Sequence, residues 1–154
     1  MTYRLFPAVR ALALTADVRI LTATQAWRFG GFAFLAFNAY GLLPAYFAWP
    51  AGLGDMAIAT AVPWMLARLA RDPAFATSRT FVTWNVLGIV DLLVAVTLGA
   101  DVPLVSADVG RAIPMDPMTR LPLVLIPAFF VPAYLILHAV ALMQARHAAS
   151  PYSR

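Results

Sequence analysis

The sequence predicts an all-α integral membrane protein: a four-helix bundle preceded by an amphipathic N-terminal helix, with both termini in the cytoplasm. Three observations lead there. First, hydrophobic residues make up 62% of the 154-residue chain and mean hydropathy is +0.79, while only 12% of residues are charged. That is about half the roughly 25% usual in soluble domains, too few polar groups to cover a water-facing surface. Second, four apolar stretches approach the roughly 20 residues that cross about 30 Å of hydrocarbon. Third, the basic residues alternate between the connections that separate these stretches.

The N-terminal segment, residues 1–23, repeats Leu5, Val9, Leu12 and Ala16 at helical spacing with Arg4, Arg10 and Asp17 turned away. It reads as an interfacial amphipathic helix, although Arg19 falls near its apolar stripe. The apolar run at 11–16 is too short for a cleaved signal peptide. A four-span domain is expected over residues 24–146 and a short cytoplasmic tail over 147–154.

Span one is placed at residues 25–49, bracketed by Trp27 and Trp49. At 1.5 Å per residue they stand about 33 Å apart, the spacing of two membrane-interface anchors. Arg28, beside Trp27, is read as a third interface residue, its head snorkelling toward water. Span two is placed at 52–71, reached through a tight turn rich in proline and glycine at 50–54. Asp55 then falls in its first turn, as a helix-starting acid or as an acid at the outer mouth of a cavity. Span three is placed at 78–100 and span four at 121–146. The connecting loop at 101–120, which holds Pro103, Pro114 and Pro117, reads as an ordered cap over the outer face.

The arginines orient these spans. Arg4, Arg10 and Arg19 precede span one, Arg68, Arg71 and Arg79 lie between spans two and three, and Arg146 and Arg154 follow span four. The turn at 50–54 is uncharged, and the loop at 101–120 holds three aspartates against two arginines. The pattern gives an even number of spans with both ends inside. Pro63, Pro127 and Pro132 are expected to kink spans two and four, as packing devices or as hinges. Gly41, Gly88 and Gly99, with Ala141 and Ala145, suit close helix approach.

Polar residues inside the spans are the candidate site: Asn38, Asn85, Asp91 and His138, with Asp55 near one end. Counting from the cytoplasmic ends puts Asn38 and Asp91 about 18–20 Å deep and Asn85 and His138 about 10–12 Å deep. Two polar layers are therefore expected, Asn38 with Asp91 and Asn85 with His138. A charged aspartate at mid-bilayer costs about 2.5–3.5 kcal/mol on insertion scales, so Asp91 needs a partner or a proton. It reads either as an interhelical clamp or as a proton or ligand site.

His138 reads first as a hydrogen-bonded packing residue, because a bis-histidine haem needs a second intramembrane histidine and none exists. A metal site of Asp55, Asp91 and His138 is disfavoured by their unequal depths. No metal and no cofactor are therefore expected. With no cysteine, disulfides, thiolate catalysis and thiolate-ligated clusters are excluded, and with no lysine so are Schiff bases to retinal or pyridoxal. Neither a nucleophile elbow nor a phosphate-binding glycine loop is present. The net charge of +4 belongs to the helix ends and gives no nucleic-acid footprint.

The residues 50–55, Trp84, Asn85, Gly88, Asp91, Pro127, Pro132 and His138 together resemble a group of small uncharacterised bacterial membrane proteins with four spans. The likeness covers most of the chain from Gln25 onward and brings no activity with it. Size, span count and the opening Arg28, Gly30 and Gly31 also resemble DoxX-like four-span proteins, in architecture only.

Three functional classes follow in order. The first is a non-enzymatic, multi-pass protein of the bacterial inner membrane, surrounded by lipid. It acts as a homo-oligomer or a subunit among other membrane proteins, with a midplane polar site. The second is a proton-linked transporter of a small solute that uses Asp91. The third is a membrane redox or lipid-modifying enzyme that uses His138.

Overall fold

The computed structural model describes residue 11, residues 13–100 and residues 115–149. The described residues are all-helical, with no strand among them. Residues 1–10 and 12 of the expected N-terminal amphipathic helix, most of the outer loop and the last residues of the tail lie outside this set.

Helix α1 spans Val18–Thr24 and starts at Asp17, whose carboxylate accepts the backbone N–H of Arg19 at 2.7 Å. It passes without a break into a 3-10 segment, Gln25–Gly31, and then into α2, Phe32–Ala39. The continuous helical run therefore begins earlier than expected and ends ten residues sooner. Tyr40 closes α2, Gly41 turns the chain at φ +69°, and the amides of Leu42 and Leu43 return to the carbonyl of Phe37.

This corrects the first two predicted spans. Pro44, extended at ψ 144°, starts helix α3, Ala45–Arg71, so Trp49 belongs to the second long helix and the turn expected at 50–54 lies inside it. Proline is a strong turn signal, but here the left-handed glycine at 41 and the pre-helical Pro44 do that work. Pro50 and Pro63 are carried within α3. The anchoring distance expected between Trp27 and Trp49 along one helix therefore does not exist.

The other boundaries fall close to expectation because local capping chemistry sets them. Asp72 ends α3, and its side chain accepts from the amide of Ala74 at 2.9 Å to start the 3-10 turn Pro73–Thr77. Ser78 caps helix α4, Arg79–Gly99, through the amide of Phe81. After a 3-10 turn at Asp116–Thr119, the chain enters a π-helical turn at Ile126–Phe130 and then helix α5, Val131–Ala148. Pro127 and Pro132 lack the N–H groups of a regular ladder, and the wider π turn accommodates that loss.

Two apolar clusters hold these helices together. One gathers Leu21, Ile58, Val62, Met65, Leu69, Phe75, Phe81, Trp84 and Ala141. The other gathers Phe34, Leu43, Phe47, Ala48, Ala51 and Met118. Along each long helix the stretch between the two clusters carries polar side chains: Gln25 and Arg28 on the first run, Asp55 on α3, Asn85 and Asp91 on α4, His138 on α5. A polar layer thus separates two apolar ones.

Among the described residues, two helical runs are both long and apolar enough to cross a membrane, Arg79–Gly99 and Ile126–Ala148, each with mean hydropathy 2.0. Four were expected. The first run is divided among three short segments, and α3 is diluted by Asp55, Arg68, Arg71 and its glycines.

Phe81 is fully buried, in edge contact with Phe75. Its replacement by alanine is expected to cost about 3–5 kcal/mol through the cavity it leaves. Leu93→Ala, on the outer face of α4, is expected to stay within about 0.5 kcal/mol. Thermal unfolding of both variants in the same detergent checks the contrast.

A buried arginine and its two carboxylates

The site begins with the local geometry of Gln25–Gly31. A 3-10 helix has three residues per turn, so residues at i and i+3 eclipse. The three buried residues of this segment are Gln25, Arg28 and Gly31, one straight row. Thr22, one step earlier, is buried too, its hydroxyl returned to the carbonyl of Val18 at 2.8 Å. The tightened helix therefore turns a polar row inward, while Trp27 stays 80% exposed.

Arg28 is 2% exposed, and its partners lie on three helices other than its own. Its Nε donates to Asp55 Oδ1 of α3 at 2.7 Å. Its Nη2 donates to Asp91 Oδ2 of α4. Its Nη1 donates to the carbonyl of Gly88 at 3.4 Å and to His138 Nε2 of α5 at 3.2 Å. The ring of Tyr134, also on α5, lies 6.0 Å from the guanidinium carbon, at the outer reach of a cation–π contact.

The partners fix the histidine's tautomer. A guanidinium only donates, so Nε2 of His138 accepts. Its proton then sits on Nδ1, which donates to Asn85 Oδ1 at 2.9 Å, and Asn85 Nδ2 donates to the carbonyl of Phe81 at 2.9 Å. The result is a neutral imidazole within a directed chain from Arg28 to the backbone of α4. Both ring nitrogens are engaged, so ligation or acid–base work by His138 would first have to break this chain.

Two glycines make the approach possible. A Cβ on Gly88 would overlap the His138 ring, and one on Gly54 would overlap the Asp91 carboxylate. The close packing of α4 on α5 and of α3 on α4 is thus tied to the same layer as the charges.

The sequence expectations divide. Asn85 and His138 pair as their depths suggested. Asp91 has a partner, but it is Arg28 and not Asn38. Asn38 stays with the turn after α2, donating to the carbonyl of Leu43 at 2.9 Å and accepting from Trp49 Nε1 at 3.2 Å. Asp55 lies ten residues into α3, where its carboxylate joins Asp91 and His138 around Arg28. The three groups weighed as a metal site do converge, with a guanidinium at their centre. Among the described residues, no three histidine or carboxylate groups are arranged to hold a metal ion.

Arg28 and Gln25 are the functional candidates that sequence reasoning misplaced or missed. The signal was the three-residue spacing of Thr22, Gln25 and Arg28, which a helical period of 3.6 conceals. One to two turns beyond the charged layer, where α2, α3, α4 and the π turn meet, Phe34, Phe47, Ala95, Met118, Ile126 and Val131 help to line an apolar cavity of about 240 Å³.

Fold and site together define an all-helical protein built around a buried arginine that is shared by two aspartates and a neutral histidine. The chain belongs to the family described as Domain of unknown function (DUF8737), whose model matches residues 1–146. It matches no curated protein and no solved structure. The likeness to DoxX-like proteins rests on the sequence pattern alone.

Removing one member of a buried ionic group strands the others. Arg28→Ala is expected to destabilise by about 3–5 kcal/mol. Combining Arg28→Met with Asp55→Leu and Asp91→Leu is expected to recover most of that loss, because no unpaired charge remains. Thermal unfolding of the single and triple variants measures it, and additive losses would contradict the coupling.

Proposed function

We propose that the chain is a multi-pass protein of a bacterial inner membrane that works as a homo-oligomer or as a subunit of a larger membrane assembly. One observation carries the membrane assignment. The two helical runs that are long and apolar enough to cross have only 28% and 11% of their apolar windows buried within the chain. A soluble core helix of that composition would be enclosed. Here Val86, Leu87, Val90, Leu93 and Val94 of α4, and Phe129, Phe130 and Ile136 of the last run, face outward. An exposed apolar surface of that extent needs lipid or a partner.

The other two runs complete a four-span reading. The segments Val18–Thr24, Gln25–Gly31 and Phe32–Ala39 sum to about 36 Å of rise, and α3 to about 40 Å, each enough to cross. The arginines flanking the α3–α4 connection and those at and beyond the end of α5 support both ends being cytoplasmic. The polar layer then lies inside the hydrocarbon zone, where Arg28 clamps the bundle.

A second reading, a proton-linked carrier that uses Asp91, is favoured by one feature of the same layer: two acids stand against one arginine. The enzyme reading is weakened by the occupied nitrogens of His138.

Alkaline carbonate treatment of isolated membranes should leave the chain in the pellet, and detergent should release it. Recovery in the carbonate supernatant would sink the membrane assignment. Native mass measurement from gentle detergent should show an oligomer or a retained partner; a bare monomer would remove the assembly reading.

A further inference from the structure

The charged layer does not balance. Arg28 supplies one positive charge, Asp55 and Asp91 two negative ones, and His138 is neutral because its Nε2 accepts from Arg28. The charged and titratable groups facing the layer are Arg28 on the 3-10 segment, Asp55 on α3, Asp91 on α4, and Tyr134 and His138 on α5. None of the others offsets the surplus, since a tyrosine and a neutral imidazole carry no positive charge. A residual unit charge in a helical interior is strongly disfavoured.

A second observation points the same way. Gln25 is 1% exposed, yet neither its amide oxygen nor its amide nitrogen has a hydrogen-bond partner. It stands one 3-10 turn from Arg28 in the same inward row, about 6 Å along the axis. A buried amide is ordinarily satisfied, so an unpaired one beside a charged cluster marks a place for a polar guest. Access also differs within the cluster. The Arg28 side chain is fully enclosed, whereas those of Asp55 and Asp91 remain 18% and 15% exposed. The carboxylates are thus less enclosed than the guanidinium they meet.

From these observations we infer that the Asp55–Arg28–Asp91 layer is a binding site for one exchangeable monovalent cation, a proton or a small ion, with the Gln25 carbonyl as an additional acceptor. With one such charge bound the layer is neutral. Without it the layer is anionic, and the two carboxylates repel across a single guanidinium. The inference deepens the proton-linked reading and relies on the membrane assignment for its low-dielectric surroundings. Carbonate extraction tests that assignment separately, so the two can fail independently.

The test is infrared difference spectroscopy of the full chain in liposomes with carbon-13-labelled aspartate, titrated from about pH 5 to about pH 8, the range in which exposed aspartates are already ionised. The wild type should show the stretch of one protonated carboxyl group per chain. Asp55→Asn and Asp91→Asn should each abolish it, because the remaining carboxylate is balanced by Arg28. Arg28→Gln should raise it toward two. Gln25→Met should move its midpoint to lower pH by weakening the charge-bound state.

Parallel titrations in sodium, potassium and ammonium salts separate the sources. A band insensitive to all three identifies a proton. A band displaced by one of them, with a matching change in the carboxylate stretch, identifies an exchangeable ion. If the wild type shows neither a protonated carboxyl band nor a salt-dependent carboxylate change, the inference is overturned, whatever the variants do. Survival of the full band in both asparagine variants overturns it as well.

Discussion

A guanidinium sealed from its surroundings dictates the rest of this molecule. Arginine stays protonated in proteins, so it cannot shed its charge when buried. It has to be met by acceptors, and here they come from three separate helices: Asp55 on α3, Asp91 and the Gly88 carbonyl on α4, and His138 on α5. Together these bonds tie three helices to the same point. The ionic layer therefore specifies how the helices are arranged more than it adds net stability, since desolvation consumes much of what the pairing gains.

Other features follow from that requirement. The first helical run tightens to three residues per turn where it passes the layer, which brings Gln25, Arg28 and Gly31 into one inward row. Gly54 and Gly88 lie where a methyl group would strike Asp91 or His138. Apolar clusters close off the layer on both sides, one centred on Phe81 and Leu69, the other on Leu43 and Phe47. The packing that stabilises the bundle is the same packing that withdraws the charges from solvent.

Much of this was legible in the sequence, and the exceptions have physical causes. The end of α3 and the start of α4 fell where the apolar stretches placed them, and there Asp72 and Ser78 cap the chain locally, with no need of tertiary context. Counting along regular helices paired Asn85 with His138, since both lie on helices with little distortion at that level. The first run defeated the same counting. Its 3-10 segment rises faster per residue, and it starts at Val18 instead of Gln25. Arg28 beside an exposed Trp27 therefore looked like an interface pair, when the two residues face opposite ways. Prolines misled as well: Pro50 suggested a turn, but the chain reverses at Gly41 and enters α3 after Pro44. Asp91 was recognisable as needing a companion, yet no local signal named one that lies 63 residues away.

The central claim is that residue 28 carries its charge inside the bundle, held by both aspartates. Solid-state magnetic resonance in lipid bilayers, with nitrogen-15 in the arginine side chains and carbon-13 in the aspartate carboxyl groups, tests it most directly. The account requires dipolar coupling from one guanidinium to two carboxyl carbons at hydrogen-bonding distance, lost when Arg28 alone is replaced by glutamine. A wild-type spectrum with no guanidinium–carboxyl coupling, or one unchanged by that replacement, would contradict it.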